Sequence, residues 1–293
     1  MRPSTMRAHL LPALVVALLS LPALTACAGR DPGPGPDASI EAAGGRIDLT
    51  PPAEPYAGPL YAEPHTGTRI DRAGAAGPVV ECDTLGTDLG FNRHGFDDRE
   101  AGATPESALL GWIDDLTWSW PTAGWRLERR DGDRVLFTFP VDGVVKQAVV
   151  VHDGETVSGG GWYVESWAQC DLSELPRTVT DRAGVLVWTD ADGRPVPTTR
   201  VVSWPGPEHC DWQDSTVLGM GAARYWRKPP DYLASRLDGR YVASAPLPAD
   251  ARETGFRRGR DHLWLAADGR AAYVGTRRGV EVWPREARPI GCD

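Results

Sequence analysis

Asp-Gly pairs recur along this sequence and constrain its fold more than any other feature. Five of them separate short runs in which apolar and polar residues alternate, at 131–132, 142–143, 153–154, 192–193 and 268–269, and a sixth stands at 238–239. Asp-Gly between such runs is a strong β-hairpin signal, because both residues accept the positive φ angles of a tight two-residue turn. The sequence therefore predicts a chain of antiparallel strands.

The first part of the predicted body, at about 78–177, is rich in such strands. They are predicted at 79–82, 125–128, 135–139, 144–151 and 162–170, with a polar loop at 84–102. Side chains of a strand alternate between its two faces. In the last of these strands the side chains predicted to face the core are Trp162, Val164, Ser166, Ala168 and Cys170.

One helix is predicted in this part, at about 104–117. Thr104 is a favourable N-cap, Pro105 suits the first helical position, and Glu106 places an acid in the first turn. Apolar residues then recur at i, i+3, i+4 and i+7, which is typical of one buried helix face: Leu109, Trp112, Ile113 and Leu116. A helix laid on an antiparallel sheet is an α+β arrangement.

The second part, at about 182–293, is predicted to be almost entirely β. Its strands are expected at 185–188, 198–204, 215–219, 225–226, 241–243, 262–265, 271–274 and 279–283. The predicted fold class is therefore α+β and predominantly antiparallel β. A helix-on-sheet first module is followed by a nearly all-β second module.

Four cysteines bracket these two modules: Cys82, Cys170, Cys210 and Cys292. An even number of cysteines in an exported chain indicates disulfides, with three connectivities open. The spacing favours Cys82–Cys170 and Cys210–Cys292, each joining the first and last strand of a module. A zinc site is the competing interpretation, and it is disfavoured because no Cys-x₂-Cys pair is present.

The N-terminus, at 1–26, has the features of a secretory signal peptide. Arg2 and Arg7 precede an apolar run at 10–24 that is too short for a comfortable membrane span. The stretch Leu24-Thr25-Ala26-Cys27 resembles a bacterial lipobox, which implies that Cys27 carries a diacylglyceryl group. Two acyl chains anchor a protein stably to a bilayer. We therefore expect a location on the extracytoplasmic face of the cell membrane; an ordinary secreted protein is the alternative.

A tether is predicted at 27–77, where proline, glycine and alanine dominate. The run at 31–36 alternates proline with glycine or aspartate, and 42–45 and 73–78 are similarly poor in large apolar side chains. Such composition is typical of a flexible linker. An alternative stays open for its last part, because three large side chains there are able to pack on the body: Tyr56, Leu60 and Tyr61.

The formal net charge of the chain is −9 at pH 7. An acidic body argues against nucleic acid as a partner, because phosphate backbones require a basic face. It argues equally against direct docking on anionic lipid headgroups. We expect no nucleic-acid-binding function.

Several stretches resemble uncharacterised secreted lipoproteins of actinobacteria. They are Asp131–Phe137 and Gly161–Asp171 in the first module, and His262–Leu265 and Ala272–Gly275 in the second. The resemblance covers most of the chain that follows Cys27, and it implies an extracytoplasmic, two-module lipoprotein. It carries no catalytic residue over to this sequence.

Motifs for catalysis are scarce. The sequence has no Gly-x-Ser-x-Gly, His-Glu-x-x-His, P-loop or dinucleotide-binding glycine motif, and we expect no cofactor and no metal. Asp97, Asp98 and Glu100 stand near His94 in the predicted polar loop, where they are candidates for ligand binding or for acid–base chemistry. A solvated acidic loop is the alternative.

Tryptophan is unusually frequent, with 12 residues against 5 phenylalanines. Trp118, Trp120 and Trp125 follow the predicted helix closely. Exposed indole rings stack on sugar faces or on a partner protein, so these three are candidate ligand-binding residues. The alternative is that they fill a small core.

These observations favour a lipid-anchored envelope protein that binds a ligand or has a structural role without catalysis. The expected partners are the membrane, through the lipid on Cys27, and cell-wall glycan or another envelope protein. Two alternatives remain: a cell-wall-active hydrolase using carboxylates such as Asp97 or Glu100, and a tryptophan-based carbohydrate-binding protein.

Overall fold

The computed structural model describes residues 45–93, 101–115, 120–156 and 159–291. These ranges are mostly β, and nearly all strand pairs in their three sheets are antiparallel. The predicted predominance of antiparallel β is therefore confirmed. In the same ranges, no helix has the length and apolar composition that a membrane crossing requires.

The strands of the described residues are, in chain order, β1 (Ile47–Asp48), β2 (Leu85–Phe91), β3 (Trp125–Asp131), β4 (Arg134–Val141), β5 (Val144–Thr156), β6 (Gly159–Cys170), β7 (Leu186–Val187), β8 (Val201–Pro205), β9 (Thr216–Met220), β10 (Ala223–Arg227), β11 (Val242–Ala245), β12 (Arg252–Arg258), β13 (Asp261–Leu265), β14 (Ala271–Thr276) and β15 (Gly279–Pro284). Two α-helices accompany them, α1 (Pro105–Asp115) and α2 (Arg177–Arg182). Segments of 3₁₀ helix lie at Ile70–Val79, Leu172–Glu174, Glu208–Cys210 and Asp231–Arg236.

The first sheet has six strands in the order β1-β3-β4-β5-β6-β2. The hairpin turns predicted at 131–132 and 142–143 are confirmed, because they connect β3 to β4 and β4 to β5. The turn predicted at Asp153-Gly154 is wrong. These two residues lie inside β5, where they pair with Trp162 and Gly161 of β6.

Helix α1 begins and packs as its sequence predicts. The Ser107 amide donates to Oγ1 of Thr104 at 3.2 Å, which satisfies one of the free amides at the helix start. Leu109, Trp112 and Ile113 are buried in a core with side chains of the first sheet. Leu116 lies outside the described residues.

The opposite face of the first sheet is covered by the N-terminal segment. Leu60, Ala73 and Ala76 are at most 4 % exposed and pack with sheet residues, while Ile47 pairs with Trp125 in a short parallel edge. The predicted tether at 27–77 is therefore wrong for Ile47 and for 70–77, and the alternative that Leu60 packs on the body is confirmed. Most side chains at 48–59 are exposed, and 27–44 lies outside the described residues. Small side chains that suggested a linker allow this segment to lie close to the sheet.

Two further predictions in this region are wrong. Val79 ends a 3₁₀ segment, and the residues up to Cys82 form no strand, although the Glu81 amide donates to the Val145 carbonyl at 2.8 Å. Part of the predicted polar loop at 84–102 is the edge strand β2, which pairs with β6.

A β-bulge in β6 changes which side chains share a face. Ser166 pairs with Val150, but Val164 pairs with Val151, so Glu165 is an extra residue. An extra residue shifts the side-chain alternation by one. Val164 consequently packs on the α1 side, whereas Ala168 and Cys170 pack on the opposite side. The predicted common face of Trp162, Val164, Ser166, Ala168 and Cys170 is therefore wrong.

Residues 185–291 form two sheets around a shared core. One has four strands in the order β10-β9-β8-β7, and the other has five in the order β11-β15-β14-β13-β12. Side chains of both sheets meet in one cluster that includes Trp188, Leu218, Leu263 and Trp283. The hairpin predicted around 268–269 is confirmed, and β12 is a strand that the sequence did not predict.

The disulfide predicted between Cys82 and Cys170 is confirmed. It joins the end of β6 to the residues that lead into β2, across 88 positions of the sequence. Cys210 is also disulfide-bonded. Its predicted partner, Cys292, lies outside the described residues.

Candidate functional site

The tryptophans singled out from the sequence do not face solvent where the structure describes them. Trp120 and Trp125 are each 1 % exposed and stack in the core below α1. Their indole nitrogens donate to Oδ2 of Asp88 and to the Pro121 carbonyl. The hypothesis that these two rings bind a ligand is wrong, because both are buried. A short helix over a wide sheet requires large side chains to fill the space between them.

The other candidates from the sequence lie outside the described residues: Trp118, His94, Asp97, Asp98 and Glu100. Within the described ranges, no group of three or more His, Cys, Asp or Glu side chains is placed to hold a metal ion.

A network of charged side chains spans strands β4, β5 and β6. We call it the His152 cluster, and it consists of Asp133, Arg134, His152, Tyr163 and Glu165. Arg134 donates from Nε and Nη2 to both carboxylate oxygens of Glu165, at 2.9 and 2.8 Å. Its Nη1 donates to Oδ1 of Asp133 at 2.9 Å. The bulge at Glu165 is the local feature that turns this carboxylate toward its partners.

His152 lies between the two carboxylates. Its Nδ1 is 3.2 Å from Oε1 of Glu165 and 3.1 Å from the Tyr163 hydroxyl, and its Nε2 is 3.1 Å from Oδ2 of Asp133. The hydrogen bond to Glu165 is the largest influence, and it raises the pKa of His152 despite burial. When His152 is protonated, both of its ring nitrogens donate to these carboxylates.

Glu165 and Asp133 show the complementary effect. Burial alone would raise the pKa of each carboxyl, but hydrogen bonds from His152 together with the charge of Arg134 outweigh burial and lower both pKa values. Both acids are therefore ionised at neutral pH, and Arg134 compensates part of their charge.

The His152 cluster holds neighbouring segments against the sheet. The Tyr163 hydroxyl donates to the Arg93 carbonyl at 2.9 Å, and the Asn92 amide donates to the Glu165 carbonyl at 2.7 Å. The Arg134 guanidinium lies 4.8 Å from the ring centre of Tyr61. These contacts indicate a structural role for the cluster.

We expect the stability of the protein to fall as the pH rises above about 6.5, the ordinary pKa of an unfolded histidine. The pKa of His152 is raised in the folded protein, so its protonation stabilises the fold. This contribution is complete below the pKa of the unfolded state and is lost as the pH rises through the pKa of the folded state. Glu165 and Asp133, whose pKa values are lowered, titrate at acidic pH outside this range. Urea unfolding between pH 6 and 9 measures how the free energy of unfolding changes with pH, and we expect His152→Gln to remove this change. Equal slopes in both proteins would contradict the assignment.

A second site lies at one end of the five-stranded sheet. The turns β12–β13 and β14–β15 stand side by side there, because Arg258 pairs with Asp261 and Thr276 pairs with Gly279 in consecutive antiparallel hairpins. Between them is a cleft of about 570 Å³, which we call the arginine cleft. Its lining is Arg227, Ala243, Ser244, Arg258, Asp261, Val274, Gly275, Thr276, Arg278, Gly279, Val280 and Glu281.

One arginine of the cleft is fully paired. Arg227 donates from Nε and Nη2 to the two carboxylate oxygens of Glu281, at 2.7 and 2.9 Å. The Trp283 indole nitrogen also donates to Glu281, at 2.8 Å. Burial alone would raise the pKa of Glu281, but these hydrogen bonds lower it. This pair is a fixed, neutral wall of the cleft.

Arg258 is different, because it forms no ion pair with any described residue. Its guanidinium lies 5.3 Å from the ring centre of the buried Trp188, and its Nη1 is buried without a hydrogen-bond partner. Burial lowers its pKa. An unsatisfied buried donor costs about 1–3 kcal/mol, and more when it is charged.

Arginines also surround the cleft. Arg257, Arg260 and Arg277 stand in or next to the same two turns as Arg258 and Arg278. A basic end on a chain of net charge −9 is a local reversal of sign. The doublets at 257–258 and 277–278 were visible in the sequence, but only the topology shows that they lie at the same end of the sheet.

The comparisons with known proteins identify no relative. A scan against protein-family models finds no match, and searches of curated proteins and of solved structures find no significant one.

Proposed function

We propose that this chain is a lipid-anchored extracytoplasmic envelope protein that binds an anionic ligand in the arginine cleft and has no catalytic role. The anchor is supported by Leu24-Thr25-Ala26-Cys27 and by the cysteine count. Cys82 and Cys170 pair with each other, and Cys210 is disulfide-bonded as well. With Cys292 as the partner of Cys210, Cys27 is the odd cysteine, and lipid attachment accounts for it.

The observation that carries the binding function is the unpaired Arg258 at the wall of the cleft. Buried charges in proteins are normally paired, because desolvation of an isolated charge is costly. Because Arg258 lines the cleft and forms no ion pair with a described residue, its charge supports binding of an anion there. Ligand pockets of about 300–1,000 Å³ are the usual size, and the arginine cleft falls within this range.

We further propose a two-module body, at 78–177 and 182–293, with α1 on the first sheet. Separate buried clusters in the first sheet and in the two later sheets support this division. The resemblance to actinobacterial secreted lipoproteins supports the compartment. In that compartment the anion is a constituent of the envelope, free or attached to cell-wall glycan.

The lipid anchor is tested by metabolic labelling of cells that produce the full chain. We expect a labelled palmitate analogue to enter the wild-type protein and to be absent from the Cys27→Ala variant, because the thiol is the acceptor. Thr25→Ala, which keeps a small residue in the lipobox, is the matched control and should be labelled. Equal labelling of wild type and Cys27→Ala, or none in either, refutes the anchor.

A further inference from the structure

The ligand class of the arginine cleft follows from its unpaired charges. We propose that the cleft binds a phosphate ester of a small polar molecule, with Arg258 and Arg278 as the groups that hold the phosphate. This inference rests on the proposed function and names the substrate class of the same site.

The first argument is charge. Glu281 is paired with Arg227. The other charged side chains of the lining are Arg258, Arg278 and a single carboxylate, Asp261. A phosphate monoester carries about −1.5 to −2 charges at pH 7 and presents three acceptor oxygens. Two guanidiniums suit this charge better than that of a single carboxylate, and their attraction for the phosphate outweighs the repulsion from the one carboxylate of Asp261.

The second argument is the polarity of the lining. Hydroxyls of Ser244 and Thr276 stand at the cleft beside Gly275 and Gly279, and the apolar side chains there are small. Hydroxyls are common donors to phosphate oxygens. The volume of about 570 Å³ exceeds that of phosphate alone, so the ester has room for a further polar group such as a polyol.

The third argument is that Arg258 is preorganised. Trp188 is fully buried, and its indole nitrogen donates to the Ser203 hydroxyl at 3.0 Å, so the ring below the guanidinium is fixed. A positioned arginine loses little side-chain entropy when a ligand arrives.

The test uses the full-length Cys27→Ala chain, which avoids membrane attachment, and calorimetric titration with four probes. They are glycerol 3-phosphate, inorganic phosphate, succinate and glycerol. We expect glycerol 3-phosphate to bind at least about tenfold more tightly than succinate, which has similar charge, and glycerol not to bind. Arg258→Met should weaken glycerol 3-phosphate binding by about 10- to 100-fold, the usual effect of losing a charged hydrogen bond.

Two further variants make the result specific. Gly279→Leu adds a side chain at the cleft, and a Cβ there meets only the Ser244 hydroxyl, at 4.0 Å. It should block binding while leaving the thermal unfolding temperature nearly unchanged. Arg177→Met removes an exposed arginine on α2 and should leave binding unchanged.

Vesicles distinguish the two sources of a phosphate ester. Retention on phosphatidic acid vesicles but not on phosphatidylcholine vesicles, lost in Arg258→Met, indicates a lipid headgroup. Binding of the soluble ester alone indicates a free ester, and both results support the proposal. Succinate binding as tight as glycerol 3-phosphate and dependent on Arg258 overturns the phosphate class but not the anion-binding function. If no anion binds, both the phosphate class and the anion-binding function are overturned. If an anion binds equally well to Arg258→Met and Gly279→Leu, the assignment of the binding site to the arginine cleft is overturned.

Discussion

Replacing both Cys82 and Cys170 by alanine is expected to lower the free energy of unfolding by about 4–5 kcal/mol. The disulfide closes a loop across 88 positions, and the chain-entropy cost of forming such a loop without the bond has this size. Cys170 is fully buried, so the loss of its sulfur from the core adds to the effect. Urea unfolding of the wild-type and double-variant proteins measures the difference.

The double variant is preferable to reduction of the wild type, because reduction also opens the disulfide of Cys210. Alanine at both positions removes one bond and leaves the other. A decrease below about 1 kcal/mol, with an unchanged dependence on urea, would contradict this expectation and indicate that residual structure already restricts this loop in the unfolded chain.

Arg134→Met is expected to lower the free energy of unfolding by about 3 kcal/mol. The Glu165 side chain is 3 % exposed, and the substitution removes two of its charged hydrogen bonds while leaving the carboxylate buried. Breaking a buried pair from one side costs about 3–5 kcal/mol. The lower end applies here because His152 remains 3.2 Å from the same carboxylate. Urea unfolding at pH 7 provides the measurement.

The matched control is Arg177→Met, the same substitution in an exposed pair with Asp181 at 3.9 Å. Exposed pairs contribute about 0–1 kcal/mol, so this variant should be close to wild type. Adding Glu165→Leu to Arg134→Met should recover part of the loss, because no buried carboxylate is then unpaired. Similar losses in Arg134→Met and Arg177→Met would contradict a structural role for the His152 cluster.

The elements that the sequence predicted are those with local signals. Helix α1 has a cap, a proline and an apolar repeat within its own residues, and the confirmed hairpins have Asp-Gly turns between alternating runs. Strand β2 lacked such a signal because glycines interrupt it. A Cβ at Gly86 would lie 2.7 Å from the Cys170 carbonyl oxygen, and one at Gly90 would lie 2.5 Å from the Trp167 ring. The close approach of β2 to β6 therefore requires glycine at these two positions, and the same glycines suggested a loop in the sequence.

Long-range features could not be predicted for related reasons. The alanines at 73, 75 and 76 are typical of a linker until a sheet is available to bury them. Burial of both sheet faces also explains why Tyr163, Glu165 and Gln169 are buried along with residues expected to face the core. The arginine cleft depends on two distant turns meeting at one end of a sheet, and the sequence contains the arginines but not their proximity.

The disulfide also determines how the body responds to mechanical load. A pull from the N-terminal side reaches β1 first, and its two residues form only a short parallel edge with β3. Beyond it the segment is held by side-chain packing and by single hydrogen bonds, such as that from the Glu81 amide to the Val145 carbonyl, until Cys82, which is covalently joined to Cys170 in β6. Peeling from this side can release residues 45–81, about 120–130 Å of extended chain at ~3.3–3.6 Å per residue, and then meets a covalent stop. The strands between Cys82 and Cys170 are thereby shielded from tension applied through the N-terminus, as the proposed lipid on Cys27 would apply it.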